Sequence, residues 1–269
     1  MVSHKEIKNY WEDKSPGRKH SDKEVGSKEF YDEIEHSRYS DYFKYKYLPK
    51  VAEFDQHANE KVLEIGVGLG TDSLQFAKNG AKSHGIDLTE TAIKLTKERF
   101  AMNGLKGTFK SASFTNIPFE DNTFDLVYSF GVLHHSEETQ EGIDEVYRVL
   151  KPGGKAIIML YHKGFKYYVR KLFLYGVLKM EFINHTAQEI VSKHSEEFND
   201  CPLTKAYSRK ECDPMFDKYK DVTYECYKID DYIYINKKMF SLISFILPEK
   251  SVQWLENKWG WNIIIKGYK

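Results

Sequence analysis

A glycine-rich turn is the feature of this 269-residue chain that most restricts its fold. The turn, Gly66-Val-Gly-Leu-Gly70, lies directly between the short apolar segment Lys61–Ile65 and the helix-like segment Thr71–Lys78. Glycine allows the left-handed conformations and close backbone approaches of a tight strand-to-helix turn. The amide groups at the start of the helix can bind a ligand, and Thr71 is expected to cap them. The pattern therefore predicts a strand, a turn open to a ligand, and a helix.

Strands and helices are predicted to alternate after this turn. Strand-like segments lie at residues 82–86, 107–111, 124–129 and 155–160, helix-like segments lie at 90–102 and 140–149, and a turn lies at 151–154. Such alternation is typical of a parallel sheet with helices on both faces. We therefore predict an α/β fold.

The flanking segments are less regular. Residues 27–46 are helix-like and have few aliphatic side chains, while helices are predicted at 165–179, 208–218 and 248–259 and strands at 221–227 and 261–265. We predict an N-terminal helical cap over residues 1–60, a core over 61–162, and an acceptor-binding region over 163–269 that includes strands completing the sheet. The aromatic residues ahead of the core are Tyr10, Trp11, Phe30, Tyr31, Tyr39, Tyr42 and Phe43.

Composition disfavours several classes of function. The 40 Lys and Arg residues balance 40 Asp and Glu residues, so no excess of positive charge favours a nucleic-acid partner. No apolar run approaches the ~20 residues of a membrane-spanning helix, and residues 1–14 do not resemble a signal peptide. Three cysteines without paired spacing support neither a disulfide framework nor a metal site. We expect a cytoplasmic protein without nucleic acid, metal or stable membrane insertion, for which peripheral membrane contact and the oligomeric state stay open.

A carboxylate follows the glycine turn at a spacing typical of nucleoside binding. Asp87 lies 87 − 66 = 21 residues after Gly66 and ends the second predicted strand. It can accept hydrogen bonds from the two hydroxyls of an adenosine ribose, or it can cap the helix before Thr89. Thr71 stands where the dinucleotide fingerprint has its third glycine, which disfavours a nicotinamide or flavin cofactor.

These segments together resemble the S-adenosylmethionine-binding core of class I methyltransferases. Residues 62–71 and 85–88 are similar to the first signature segments of that family, and residues 124–127, 131–135 and 145–154 to the later ones of its small-molecule, type 11 subgroup. Five segments in the family's order make the resemblance specific. It implies a Rossmann-like, seven-stranded, mostly parallel sheet whose last strand is antiparallel. It also implies S-adenosylmethionine as cofactor and S-adenosylhomocysteine as product.

The resemblance further implies a cofactor site. Glu64 would lie near the amino-acid end of the cofactor, Gly66 and Gly68 against its backbone, Asp87 at the ribose and Leu88 beside the adenine. The family often has an acidic residue near the adenine amino group, but this chain has Ser-Ala-Ser-Phe at residues 111–114. The complete predicted set is Glu64, Gly66, Gly68, Gly70, Asp87, Leu88, Ser113, Phe114 and Ser129.

Two adjacent histidines are the candidates for acid–base chemistry. His134 and His135 follow the fourth predicted strand, beside the expected position of the sulfonium. A neutral imidazole there suits a general base, because a nearby cation disfavours the charged form. The alternative is that both histidines have structural roles and the enzyme acts by proximity alone.

The acceptor is expected to lie between the N-terminal cap and the helix after the fifth strand. At 100° per residue, Phe165, Tyr168, Val169, Leu172 and Tyr175 share one face of that helix, opposite its basic residues Lys163, Lys166 and Arg170. The helix can cover an acceptor pocket, bind an anionic membrane surface, or simply close the sheet. A mobile cap of residues 1–45 is predicted to turn its rings toward the pocket. The predicted pocket residues are Trp11, Tyr31, Tyr161, Phe165 and Tyr168.

The function predicted from these observations is methyl transfer from S-adenosylmethionine to an oxygen or nitrogen of a small organic acceptor, of the kind found in natural-product or sugar biosynthesis. Carbon methylation of a quinone or lipid at a membrane surface is the first alternative. A non-catalytic scaffold that binds the cofactor is the second.

Overall fold

The computed structural model describes residues 2–14, 18–40, 47–196, 200–228 and 249–269. Residues 1, 15–17 and 41–46 of the predicted cap, which include Tyr42 and Phe43, lie outside this set, as do residues 197–199 and 229–248 of the predicted acceptor-binding region. The described strands are β1 (Lys61–Ile65), β2 (Lys82–Asp87), β3 (Thr108–Ser111), β4 (Phe124–Phe130), β5 (Leu150–Tyr161), β6 (Lys220–Tyr227) and β7 (Asn262–Tyr268). The helices are α1 (His4–Asp13), α2 (Lys28–Ser40), α3 (Leu48–Ala52), α4 (Thr71–Lys78), α5 (Glu90–Met102), α6 (Thr139–Val149), α7 (Ala187–Ser195), α8 (Arg209–Cys212) and α9 (Glu249–Trp259), with a π-helix at Lys166–Leu178.

The seven strands form one sheet in the order β3-β2-β1-β4-β5-β7-β6. The first five strands are parallel, with Glu64 of β1 in register with Gly85 of β2 and with Tyr128 of β4. Strand β7 runs antiparallel to both of its neighbours, β5 and β6. The predicted α/β class and the antiparallel last strand are confirmed.

Helices cover both faces of the sheet because successive side chains of a strand point to opposite sides. Leu63 of β1 belongs to an apolar cluster that contains Ile143 and Val146 of α6. Its neighbour Val62 belongs to a second cluster that contains Phe76 of α4. Because β1, β2 and β4 are parallel, their carboxyl ends lie at the same edge of the sheet, where loops can form a site.

The N-terminal helices pack on the core. The hydroxyl of Tyr31 in α2 donates to the carbonyl oxygen of Leu95 in α5 at 2.8 Å, and the Tyr31 side chain is buried. Glu12 of α1 accepts a hydrogen bond from the Thr91 amide at 2.9 Å. The predicted orientation of Tyr31 toward the pocket is wrong, because its ring packs between α2 and α5. The mobility of the cap stays a prediction.

Several local predictions need correction. Gly70, in the left-handed conformation, is the N-terminal cap residue of α4, and the Thr71 hydroxyl instead accepts a hydrogen bond from Arg99 at 2.8 Å. Residues 151–154 are part of β5, at an irregular pairing with β4, and are not a separate turn. Residues 208–218 form the short helix α8 followed by a 3₁₀ turn.

The largest correction concerns the helix after β5. It is a π-helix, and its apolar side chains Phe165, Tyr168 and Val169 are 39–50% exposed. Lys166 and Lys171, five residues apart, are buried instead. A π-helix brings residues i and i+5 to the same face. The rotation of 100° per residue that was used for the sequence is that of an α-helix, so it grouped the side chains of this segment on the wrong faces.

Candidate functional site

The glycine turn after β1 has the conformation that its sequence predicts. Gly66 and Gly68 have positive φ angles of 78° and 52°, and the Gly66 amide donates to the Ile86 carbonyl at 2.8 Å. A Cβ atom at position 66 would lie 2.2 Å from Val132 Cγ2, whereas one at position 68 would meet nothing within 4 Å. The turn therefore packs tightly at Gly66 and opens into space at Gly68.

A small cavity of about 110 Å³ lies beyond the carboxyl ends of β1, β2 and β4. Its walls are mostly apolar, with a carboxylate at one side. Six of the predicted cofactor-site residues are brought together here. They are Gly66, Gly68, Asp87, Leu88, Ser113 and Phe114.

Asp87 is half-buried at the wall of this small cavity. Its Oδ2 accepts a hydrogen bond from the Gly68 amide at 3.0 Å, and its Oδ1 accepts from the Thr89 amide and hydroxyl at 3.0 and 2.8 Å. Burial raises the pKa of the Asp87 carboxyl although these hydrogen bonds act in the opposite direction. Asp87 thus joins the glycine turn to the start of α5, and a carboxylate has further lone pairs for a ligand.

A larger cavity of about 390 Å³ adjoins the small one. The two share a junction formed by Trp11, Gly66, Gly68, Gly131 and Val132. The larger cavity is lined by many more charged groups than the small one. The charged and titratable side chains in its wall are His20, Arg38, Glu64, Asp72, Tyr161, Lys166, Arg170, Lys171, His194, Glu196 and Lys228.

Two carboxyl groups in the larger cavity have opposite environments. Burial would raise the pKa of Asp72, but the Arg38 guanidinium and the hydroxyls of Tyr39 and Tyr128 hold it below its usual range. Arg38 Nε donates to Asp72 Oδ1 at 2.6 Å, and the two hydroxyls donate at 2.6 and 2.9 Å. Burial and the Asp72 charge raise the pKa of Glu64 well above its usual value, while the Ser73 hydroxyl donates to it. Glu64 therefore favours its neutral form, and Asp72 its charged form.

The two adjacent histidines also have pKa values that are shifted in opposite directions. His134 is fully buried, lines neither cavity, and neither of its ring nitrogens hydrogen-bonds to a described residue. Burial, followed by the charge of His135, lowers its pKa well below 6.5. His135 lines the small cavity, and its ring lies 5.1 Å from that of Trp11.

His135 is not the neutral imidazole expected of a base. Burial alone would lower its pKa, but the Glu196 carboxylate, with Cys201 and the Leu203 carbonyl, raises the pKa to about 9. Its Nε2 lies 3.7 Å from Glu196 Oε1, and its Nδ1 lies 2.9 Å from the Leu203 carbonyl oxygen. One ligand atom each of His134, His135 and Glu196 lies within 4.8 Å of the others, a spacing from which a metal ion could be held. The expectation of no metal therefore stays a prediction.

Some of the remaining predicted site residues line a cavity, and others do not. Trp11 lines both cavities and Tyr161 lines the larger one. Gly70 and Ser129 line neither, and Ser129 is fully buried in β4 with a hydroxyl that has no partner among the described residues. Phe165 and Tyr168 line neither of the two cavities and are 39% and 50% exposed, so the structure does not bring them together with the other predicted pocket residues.

Sequence reasoning missed the charged walls of the larger cavity. Asp72 is the second residue after the glycine turn, and its position in the first turn of α4 was an available signal. Arg38 is 34 residues earlier, and nothing in its local sequence indicates the pair. The five-residue spacing of Lys166 and Lys171 becomes informative only once the helix is known to be of the π type.

Comparison with known families identifies the core. Residues 63–158 match the model of the type 11 family described as a methyltransferase domain. The chain is 30% identical over 176 residues to phosphoethanolamine N-methyltransferase 2 of Caenorhabditis elegans, an alignment that covers 64% of this chain and 38% of that protein. It is 32% identical over 161 residues to demethylmenaquinone methyltransferase of Clavibacter sepedonicus, covering 56% and 64%. The chain thus spans less than two thirds of either relative.

Solved structures share the fold. An S-adenosylmethionine-dependent methyltransferase from Methanosarcina mazei aligns over 82% of this chain and 97% of its own with a TM-score of 0.56 and 18% identity. Phosphoethanolamine N-methyltransferase 2 of Haemonchus contortus, solved with phosphomonomethylethanolamine and S-adenosylhomocysteine, aligns over 82% and 52% with a TM-score of 0.56 and 19% identity. The predicted class I, type 11 core is confirmed.

Proposed function

We propose that this chain, in which residues 63–158 form a class I methyltransferase domain of the type 11 family, transfers a methyl group from S-adenosylmethionine to an oxygen or nitrogen of a small organic acceptor. The observation that carries the proposal is the pair of adjoining cavities, one mostly apolar beside the glycine turn and one larger and charged. They provide separate places for the adenosyl group and the acceptor, which meet at Gly66, Gly68 and Val132.

The described residues suit this cofactor. Space at Gly68 admits a ligand close to the backbone, and Asp87 offers a half-buried carboxylate at the end of β2. Leu88 and Phe114 supply apolar surface for a base, and Glu64 lies in the adjoining cavity. When bound, the cofactor supplies an activated methyl group on a positively charged sulfur.

Alignment and exclusion of water are the main contributions that we propose for the protein. Methyl transfer from a sulfonium is an in-line displacement, so holding the two reacting atoms in line contributes much of the rate. Trp11 and Val132, at the junction of the cavities, would exclude water there. With a pKa of about 9, His135 holds a proton at neutral pH and would accept the proton of an acceptor only in more alkaline solution.

The test is retention and turnover of the cofactor. Purified protein is analysed by mass spectrometry for S-adenosylhomocysteine, and titration calorimetry then gives its affinity. Incubation with methyl-labelled S-adenosylmethionine and a panel of hydroxyl and amine acceptors follows. No binding of either cofactor form would refute the proposal, whereas binding without transfer to any acceptor class would favour a scaffold.

A second candidate, carbon methylation of a quinone or lipid at a membrane surface, is favoured by the exposed face of the π-helix. Among the described residues, Phe173, Val177 and Leu178 are 51–61% exposed, and Met180 and Ile183 just beyond them are 63% and 68% exposed. Such a surface can bind a lipid interface. No helix in the described ranges has the length and apolar character to cross a bilayer.

Vesicle co-sedimentation separates the two candidates. The double substitution Phe173→Ser with Leu178→Ser should abolish binding to phosphatidylglycerol vesicles if the second candidate holds. Met102→Ser is the matched control, because Met102 is 54% exposed at the end of α5, in another part of the chain. Equal binding by the wild type and both variants would remove the support for a membrane acceptor.

A further inference from the structure

Two histidines and a glutamate come together between the loop after β4 and the end of α7. His134 and His135 lie in a short 3₁₀ turn that follows β4, and Glu196 is the residue directly after α7. One possible ligand atom of each side chain lies within 4.8 Å of those of the other two. We call these three residues the His-His-Glu cluster. Two distant segments of the chain thus bring two imidazoles and one carboxylate close enough to share an ion.

The ring of His134 is the least explained member of the cluster. It is fully buried, and neither of its ring nitrogens has a hydrogen-bond partner among the described residues. Its ring centroid lies 4.4 Å from that of His135 and 4.1 Å from that of Tyr161. Buried polar groups without a partner are rare in native proteins and require an explanation. A bound metal ion is one, because an imidazole offers a nitrogen lone pair as a ligand.

The ring of His135 is oriented by the backbone. Its Nδ1 lies 2.9 Å from the carbonyl oxygen of Leu203 and 3.7 Å from the sulfur of Cys201. Its Nε2, on the other side of the ring, lies 3.7 Å from Oε1 of Glu196. Metal-binding histidines almost always donate one ring N–H to a carbonyl or carboxylate oxygen, which fixes the other nitrogen toward the ion. His135 has this arrangement, with Nε2 as the ligand atom.

The Glu196 carboxylate completes the cluster. Its Oε1 is buried and accepts no hydrogen bond from a described residue. The 3.7 Å between this oxygen and His135 Nε2 is too long for a hydrogen bond. Zinc–ligand bonds of about 2.0 to 2.1 Å place two tetrahedral ligands about 3.3 Å apart. Small side-chain movements would therefore close the cluster around a zinc ion.

A second buried histidine with two carboxylates provides a contrast. His57 Nδ1 lies 2.6 Å from Glu60, whereas its Nε2 lies 3.8 Å from Glu53. The two carboxylates thus approach opposite ring nitrogens, and Glu53 also forms ion pairs with Lys155 and Lys266. Among the residues that the structure describes, the His-His-Glu cluster is the group that gathers three possible ligand atoms. His57 is therefore a matched control for the cluster.

We propose that the His-His-Glu cluster binds a zinc ion through a ring nitrogen of His134, Nε2 of His135 and the Glu196 carboxylate. Two imidazoles and one carboxylate are an established ligand set for Zn²⁺, which takes four ligands in a tetrahedron and so keeps one position for water or another ligand. Iron(II) uses the same set but needs more open positions, which suits the fully buried His134 less well.

The ion would connect the walls of the two cavities. His135 lines the small cavity and Glu196 lines the larger one. Zinc would replace the proton that His135 holds beside Glu196, so the pKa of about 9 is that of the metal-free protein. Binding would fix the loop after β4 relative to the end of α7, whichever acceptor is methylated. The inference revises the sequence-based expectation of no metal.

The experiment measures zinc binding by the full chain after a chelator has removed any metal. Zinc is titrated in competition with a coloured chelator of known affinity, using wild type, His134→Gln, Glu196→Gln and the control His57→Gln. We expect one zinc ion per wild-type chain and an affinity about 100-fold lower or less in the first two variants, because even changes beyond the ligands cost 10- to 100-fold. The control should keep the wild-type affinity. Zinc should raise the melting temperature of wild type and control but not of the two variants.

Cobalt(II) in place of zinc reports the identity of the ligands. His134→Cys exchanges a nitrogen ligand for a thiolate, which also binds such ions. Its cobalt complex should gain a thiolate-to-cobalt absorption band in the near ultraviolet that the wild-type complex lacks. The same band in wild type would assign the ion to a native cysteine such as Cys201 and would overturn the proposed ligands.

Affinity for S-adenosylhomocysteine, measured in parallel, reports whether each variant is folded. Glu196 is partly exposed, so Glu196→Gln keeps the test valid if His134→Gln does not fold. Wild type that binds S-adenosylhomocysteine but not zinc would overturn the inference and leave the proposed function intact, as would equal zinc affinity in wild type and both variants. Wild type that binds zinc but neither form of the cofactor would refute the proposed function and support the zinc site.

Discussion

The two cavities are built from different kinds of sequence information. The small cavity is formed largely by residues 65–92 and 112–136, at the ends of neighbouring parallel strands. The larger cavity collects side chains from Trp11 to Lys228. The first depends on a local turn and on strand order, and the second on long-range packing. A binding motif can therefore be read from a short segment, while an acceptor pocket of this type requires the fold.

The largest effect that would test this contrast is expected at the glycine turn. Gly66→Ala places a Cβ 2.2 Å from Val132 Cγ2 at a φ of 78°. Overpacking and backbone strain together should cost about 3 to 5 kcal/mol in the free energy of unfolding. Gly68→Ala is the matched control, because its Cβ meets nothing within 4 Å, and it should cost only about 1 kcal/mol. Denaturant titration measures both, and equal losses would contradict the packing argument.

The next effect concerns Asp87. Asp87→Ala removes a carboxylate that orders Gly68 and Thr89 and that is proposed to bind the ribose, so S-adenosylhomocysteine affinity should fall by about 2 to 4 kcal/mol. Asp125→Ala is the control, because Asp125 bonds to Lys151 and the Lys61 amide near the opposite ends of β4 and β1. Calorimetry that gives the same dissociation constant for wild type and Asp87→Ala would remove Asp87 from the cofactor site.

His135, which lines the small cavity, should make the free energy of unfolding depend on pH. Its pKa is about 9 in the folded protein against about 6.5 for an ordinary histidine, so the protonated form stabilises the fold. That contribution is complete below pH 6.5 and is lost as the pH rises through 9. We expect the free energy of unfolding to fall by about 3 kcal/mol over this range.

Glu196→Gln is the variant that tests the cause, because Glu196 supplies the opposing charge. In Glu196→Gln, the free energy of unfolding should fall less as the pH rises through 9, because the pKa of His135 is lower. If turnover rises in alkaline solution because His135 loses its proton, that rise should occur at a lower pH in this variant. His135→Gln should lower turnover by roughly 10²-fold above pH 9 if the imidazole is a base. Turnover that is independent of pH and unaffected by His135→Gln would leave alignment as the mechanism.

The smallest expected effect is the release of a proton from Glu64 when the cofactor binds. Burial and Asp72 raise the pKa of Glu64, and a positively charged ammonium group of the cofactor nearby would lower it again. Binding should then release up to about one proton, measured by calorimetry in imidazole and Tris buffers, which differ in ionisation enthalpy. Glu64→Gln should bind without that release. The same proton release in Glu64→Gln would assign the proton to another group.

The sequence contained enough to predict the sheet and the small cavity, because both follow from local regularities. The segment from Lys61 to Asp87 alternates in a way that fixes two strands, one helix and a glycine turn, and the structure places Leu88 and Phe114 in the predicted wall. The larger cavity could not be predicted in this way. Lys171 is buried in a helix of the π type, and the pKa of His135 is raised by Glu196, 61 residues later, and by Cys201 and the Leu203 carbonyl.

The position of β7 determines when the sheet can be completed during synthesis. Strand β6, at residues 220–227, pairs with β7, at residues 262–268, and β7 separates it from β5. The ribosome therefore releases β6 before the strand that joins it to the sheet exists. Until residues 262–268 emerge, β5 presents an unpaired edge that can recruit other chains. A chaperone that covers this edge should raise the yield of native protein, and released chains that end at residue 261 should aggregate more readily than the 269-residue chain.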